Sequence, residues 1–257
     1  MSGTRSHFPP ARATDRCRGL LIVAHGECRG AGTNVLAREL ARRLLVSGAY
    51  EEVEIGYARA TPSIEEAASR LSCREVSVYP LFMSDGYYVR NMIPERLRLS
   101  NGQDAFGHTV TIAKPLGLSR GLPGVIARGL QCASDSLGLK PQHVHVLFVA
   151  HGSTKSSNSA DVARELLERV RRRSTFASFG LALLEGEPSL AVALRAAPRP
   201  LLVLGLFTGE GLHGGEDLHG AVQALHDPHV HVVDQLGGYA GVIELIVHSS
   251  PWPQMAV

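Results

Sequence analysis

Three polar side chains stand at three comparable places in the second half of this sequence. His151 ends the apolar run Phe148-Val149-Ala150, Glu185 follows Leu183-Leu184, and His213 lies in the glycine-rich stretch Thr208-Gly209-Glu210-Gly211-Leu212-His213 that continues Leu206-Phe207. Two imidazoles and a carboxylate suit a borderline divalent cation such as cobalt, nickel, ferrous iron or zinc. Three protein ligands leave coordination positions open for a second molecule, and the carboxylate is also a proton acceptor. The residues alone leave Glu185 and Glu187 both open as that carboxylate. Singly, each residue has a plainer reading: His151 as a packed histidine, His213 as a loop histidine, and Glu187 before Pro188 as an acid favoured at a helix N-terminus. Together, at three strand ends where a polar group needs a partner or a purpose, they favour chemistry.

The elements that must position them recur. Ile22-Val23-Ala24-His25-Gly26 precedes Phe148-Val149-Ala150-His151-Gly152 by 126 positions, as Ala37-Arg38-Glu39-Leu40 precedes Ala163-Arg164-Glu165-Leu166 and Thr61-Pro62-Ser63 precedes Glu187-Pro188-Ser189. Val76 to Phe82 matches Leu201 to Phe207 with one residue less. A self-match this long means internal duplication. In the first half, strands are expected over 19–24, 53–57, 75–81 and 109–113, with helices over 34–45, from Thr61 through Leu71 and over 121–137. In the second, strands are expected over 144–150, 179–184, 201–207 and 230–233, with helices over 161–172 and after Pro188. Alternating strands and helices give βαβ units and parallel sheets. The expected class is α/β: two tandem Rossmann-like lobes, each a short parallel sheet flanked by helices, related by a pseudo-twofold duplication. Residues 1–17 are a tail, 18–139 the first lobe and 140–257 the second. In open α/β sheets ligands bind at the carboxyl ends of strands, so His25, His151 and His213 belong at one cleft between the lobes.

The copies diverge where chemistry is expected. His25 keeps the first histidine with Glu27 after His-Gly where the second half has Ser153, Arg59 stands where Glu185 stands, and Tyr88 stands where His213 stands. A guanidinium is always charged and cannot ligate a metal, so the first half reads as a degenerate copy. For Tyr87 and Tyr88 two readings stand equally: packing against a flat ligand whose carboxylates pair with Arg59 and Arg90, or ordinary core packing of one tyrosine.

Composition narrows the class. Hydrophobic residues make up 44% and charged residues 19% of the 257 residues, the balance of a folded globular protein, and a net charge of +2 gives no footing for nucleic acid. Arginine runs such as Arg169, Arg171, Arg172 and Arg173 read as solvated helix faces. No apolar run reaches membrane-spanning length and the first residues lack an export signal, so no membrane and a cytoplasmic location are expected. Cys17, Cys28, Cys73 and Cys132 lack metal-site spacing and fit a reducing compartment. Of the other histidines, His108 and His143 precede strands and are expected in solvent, and His219, His226, His229 and His231 are at most a surface patch.

The ordered set of His-Gly-Ser, Leu-Glu-x-x-x-Pro-Ser and Leu-Phe-x-x-Gly-x-Gly-x-His followed by an acidic residue resembles the class II tetrapyrrole chelatases. It is most similar to the sirohydrochlorin cobalto- and ferrochelatases in their long, two-repeat form, from about Gly19 to Val247. The resemblance implies insertion of a divalent metal, Co2+ or Fe2+ with Ni2+ as a further candidate, into sirohydrochlorin on the way to cobalamin or sirohaem, with no nucleotide. It places the metal-binding and catalytic residues at His151, His213 and Glu185, with His25 as a further ligand candidate and Tyr88, Arg59, Ser153 and Gly211 against the tetrapyrrole. A fused pair supplies its own two-sided cleft, so a monomer is expected. The competing readings are a non-catalytic tetrapyrrole or metal carrier with this fold, a two-domain metal receptor (disfavoured by the missing export signal) and a chelatase for another tetrapyrrole.

Overall fold

The computed structural model describes residues 17–26, 35–152, 158–208, 216–233 and 241–248. The first lobe runs β1 (Arg18–Ala24), α1 (Val35–Val46), β2 (Glu52–Tyr57), α2 (Ile64–Ala68), β3 (Glu75–Pro80), α3 (Ile93–Leu97), β4 (Thr109–Ile112) and α4 (Leu122–Ser136). The second repeats it as β5 (His145–Gly152), α5 (Asn158–Arg171), β6 (Ser178–Glu185), α6 (Leu190–Ala196), β7 (Leu201–Gly205), α7 (Glu216–Gln223), β8 (Val230–Val233) and α8 (Gly241–His248). The sheets are parallel throughout, ordered β2-β1-β3-β4 and β6-β5-β7-β8. In each, the order reverses between the first and third strands, and a ligand crevice opens at that switch point.

Strands buried on both faces explain the near-continuous apolar runs. Along β1, Leu20, Ile22 and Ala24 face one core while Leu21 and Val23 face another; Val146, Phe148 and Ala150 against Leu147 and Val149 repeat this in β5. The inner faces of both sheets share one continuous core with α1, α4, α5 and α8, and each outer face has its own core under α2 and α3 or α6 and α7. The last helix of each half crosses to the first helix of the other: α4 packs on α5, and α8 on α1. The lobes therefore share their central helical layer, and side-chain burial, rather than a hinge, holds their two strand-end edges together.

Several expected features are corrected. The helix after Thr61-Pro62 begins at Ile64, because Ser63 caps it: the Ser63 hydroxyl accepts the Glu66 N–H at 3.1 Å and the Glu66 carboxylate accepts the Ser63 N–H at 2.8 Å, leaving Pro62 outside the helix. A π-helical turn over Tyr88–Met92 leads into α3, where only a loop was read. His108 is not in solvent. It is 5% exposed, with Nδ1 2.8 Å from the Asp104 carboxylate and Nε2 3.2 Å from the Leu71 carbonyl oxygen, so both ring nitrogens have partners. The cysteines are not merely scattered: Cys17, at the end of the expected tail, is joined to Cys73 by a disulfide. Among the described residues no helix is long and apolar enough to cross a membrane.

Tyr79 is 1% exposed and its hydroxyl has no hydrogen-bond partner among the described residues. Burial holds its phenol well above the ordinary value. Tyr79→Phe removes that unpaired hydroxyl at nearly constant volume, so the variant should be as stable as the parent or gain about 1 kcal/mol in urea unfolding. A loss of that size would show that the hydroxyl has a partner.

Candidate metal centre

In the second lobe β5 continues through His151 and Gly152, and its register places Gly152 opposite Glu185, the last residue of β6. Gly152 has φ +75°, and a methyl group there would collide with the Glu185 carbonyl. Only glycine lets the two chains approach this closely in that conformation, which accounts for the His-Gly pair. As a result His151 Nε2 stands 3.8 Å from Glu185 Oε1, with the two side chains 48% and 52% exposed. That is too long for a hydrogen bond. Two ligand atoms each about 2.1 Å from one metal lie roughly 3 to 4 Å apart, so the spacing fits a shared cation. Glu187 is used differently: its carboxylate accepts the Ser189 N–H at 3.1 Å at the start of α6, which favours Glu185 as the carboxylate that faces the imidazole.

The first lobe builds the same corner with opposite charge. Gly26 has φ +78°, and the Arg59 N–H donates to the His25 carbonyl at 2.9 Å. Arg59 Nε donates to the Tyr88 hydroxyl at 3.1 Å, and that hydroxyl lies 3.1 Å from His25 Nε2. His25 Nδ1 lies 3.1 Å from the Gly26 carbonyl, which can only accept. The partners thus assign the ring proton to Nδ1, so Nε2 accepts from Tyr88. Burial lowers the His25 pKa, and the charges of Arg59 and His151 push the same way against the Gly26 hydrogen bond. Tyr88 is fixed by stacking on Phe82, with centroids 5.5 Å apart and planes at 12°, and by an edge contact with His25 at 5.1 Å.

The two corners face one cleft. His151 acts electrostatically on His25 from the other lobe. At the ends of the third strands, the Thr208 hydroxyl donates to the Leu81 carbonyl at 2.9 Å. The segments that follow β3 and β7 therefore lie side by side at Leu81 and Thr208. His213, Gly211, Ser153 and Glu27 lie outside the described residues. His151, Glu185, His25, Tyr88 and Arg59 are brought together. Arg90 is paired with Asp85, Nε to Oδ2 at 2.9 Å, and Tyr87 is 64% exposed beside Tyr88. Phe82 and Thr208 were missed as site residues; their only signal was their place two and three residues past the end of a strand.

Two predictions follow from this geometry. The ordinary histidine value is 6.5, and a folded value below it means the unfolded chain binds the extra proton first. The stability that neutral His25 contributes is therefore complete above about 6.5 and is lost as pH falls through the lowered folded value. A ring-proton NMR titration should place the His25 midpoint below 6.5, and Tyr88→Phe should raise it. Gly152→Ala should cost about 1–3 kcal/mol of stability through overpacking and weaken cobalt binding in calorimetry by displacing Glu185.

The family profile described as CbiX matches residues 19–133 and 145–250, one repeat in each lobe. A Halobacterium salinarum protein called a probable sirohydrochlorin cobaltochelatase is 26% identical over 226 residues, covering 78% of this chain and 75% of that one. The solved structure of CbiX, described as the terminal enzyme for biosynthesis of sirohaem in denitrifying bacteria, superposes with a TM-score of 0.72 at 26% identity, over 90% of this chain and 97% of that one. The sirohydrochlorin chelatase SirB of Bacillus subtilis, solved with cobalt, has a TM-score of 0.67 at 16% identity over 90% and 93%, a likeness of fold. With both halves matched and the strand-end imidazoles at one cleft, this chain belongs to the CbiX family of class II tetrapyrrole chelatases.

Proposed function

We propose that this chelatase inserts a divalent metal, Co2+ or Fe2+, into sirohydrochlorin, with no nucleotide, on the way to cobalamin or sirohaem. The observation that carries the reading is the His151–Glu185 pair, 3.8 Å apart at the strand ends of the second lobe, set opposite a corner that carries a guanidinium instead. The incoming metal is held by His151 and His213 with Glu185 beside them. His25 has its Nε2 engaged by Tyr88 and takes part as a neutral wall of the cleft, the last of the four candidate ligands. Sirohydrochlorin carries eight carboxylates; Arg59 contributes charge toward them and its Nε holds Tyr88, whose ring lies against the macrocycle, while Ser153 and backbone N–H groups near Gly211 complete the tetrapyrrole contacts. Insertion of M2+ releases two pyrrole protons. Glu185, exposed and within reach of the metal position, accepts one, and a histidine freed as the pyrrole nitrogens replace the protein ligands accepts the other. One chain supplies both sides of the cleft, so a cytoplasmic monomer suffices.

A carrier with the same fold would bind one equivalent and stop. Continuous visible-absorbance turnover with sirohydrochlorin and each metal in turn separates the two: the proposal requires many product molecules per protein with cobalt or ferrous iron. His213→Ala should cut the rate by orders of magnitude and Glu185→Gln by about 10²-fold, whereas Tyr88→Phe should change it by less than roughly tenfold. Unchanged rates in both His213→Ala and Glu185→Gln would place the chemistry elsewhere.

A further inference from the structure

A second cluster of metal-ligating side chains lies at the opposite edge of the first sheet. Cys17 immediately precedes β1, Glu52 begins β2, and Cys73 lies just before β3. All three are therefore at strand starts, whereas the chelatase cleft is at strand ends, about 20 Å away along a seven-residue strand. The two sulfurs and a Glu52 carboxylate oxygen lie within 4.8 Å of one another. In the structure the sulfurs are joined as a disulfide. Glu52 Oε2 accepts the Ser72 N–H at 2.7 Å and the Cys73 N–H at 3.1 Å, and Oε1 accepts the Ser72 hydroxyl. A carboxylate has about four lone-pair sites, so three hydrogen bonds leave one on Oε1. Burial pushes this carboxyl up, but the bonds from Ser72 and Cys73 outweigh it and keep it below its ordinary value. The fold does not require these residues. At the corresponding strand starts the second lobe has His143, Ser178 and the 197–199 stretch, where Arg199 closes the edge by bonding Asp227 and the Leu194 carbonyl.

We propose that Cys17, Cys73 and Glu52 form a redox-gated site for a thiophilic divalent cation of the zinc or cobalt class, separate from the chelatase cleft. The disulfide takes two electrons and two protons from two equivalents of a small thiol, which leave as their own disulfide. The cation then displaces the two cysteine protons to solvent and is held by two thiolates and one carboxylate oxygen, with a fourth position for water. Thiolates select such metals over magnesium or calcium. Tetrahedral zinc or cobalt, about 2.0–2.3 Å from each ligand, fits donors gathered within this space. Exchange with a small-molecule disulfide, which takes the two electrons, and two protons from solvent, and leaves as two thiols, ejects the cation and restores the bond seen here.

The test uses the full chain in a Cys28→Ser, Cys132→Ser background, which leaves Cys17 and Cys73 as the two cysteines of the chain. The protein is reduced with a small thiol, desalted anaerobically and titrated with Co2+. A near-ultraviolet sulfur-to-cobalt charge-transfer band should saturate at one equivalent. The oxidised protein should show none, which needs no variant and is independent of folding defects. With Cys28 replaced, the proposed cleft ligands are imidazoles and a carboxylate, so His151→Ala should leave the band intact. Cys17→Ser and Cys73→Ala should each abolish it, and Glu52→Gln should weaken cobalt binding about 10- to 100-fold. The proposal is overturned if reduction releases no thiol pair, if the reduced protein shows no band, or if the band survives in both cysteine variants.

Discussion

At one strand end of this protein an imidazole faces a carboxylate, and at its duplicate an imidazole faces a guanidinium. On the proposed function, that difference in sign sets which corner receives the cation. Glu185 adds negative charge 3.8 Å from His151; Arg59 sits at the equivalent backbone position and reaches His25 through the Tyr88 hydroxyl. A positive charge near His25 opposes both its protonation and the arrival of a metal. On the function proposed above, the cationic corner suits the polyanionic macrocycle and the anionic corner suits the ion to be inserted. One duplicated scaffold thus separates two tasks by exchanging Glu for Arg and His for Tyr.

The separation is useful only if the corners stay opposed. The shared inner core does this: α4 lies on α5, α8 lies on α1, and both sheets bury their inner faces against the same helices. A bond from Thr208 to the Leu81 carbonyl joins the ends of the two third strands. Neither lobe can rotate without exposing apolar surface from that core. The positive-φ glycines at 26 and 152 set the same corner twice, so what differs between the lobes is side-chain chemistry on a common backbone.

Much of this was legible in the sequence, for physical reasons. Strands buried on both faces produce long apolar runs, and a duplication doubles every signal, so strand positions, the parallel arrangement and the correspondence of Arg59 with Glu185 could be read directly. Helix starts were less legible, because a capping serine after proline resembles a helical first turn: the Ser63–Glu66 capping box starts the helix at Ile64, three residues after Thr61. The burial of His108 depended on Asp104 and on a carbonyl from α2's far end, contacts that no local spacing reveals. Cys17 and Cys73 are 56 residues apart and meet only because β1 and β3 are neighbours in the sheet. The choice between Glu185 and Glu187 turned on one capping hydrogen bond to Ser189.

The central claim is that the cation belongs to the second lobe's corner while His25 remains tied to Tyr88. X-ray absorption at the cobalt edge, on the oxidised protein loaded with one equivalent of Co2+, tests it most directly by counting imidazoles on the metal. The account predicts two imidazoles in the parent and in His25→Ala, and one in His151→Ala. A count that falls in His25→Ala and holds in His151→Ala would contradict it.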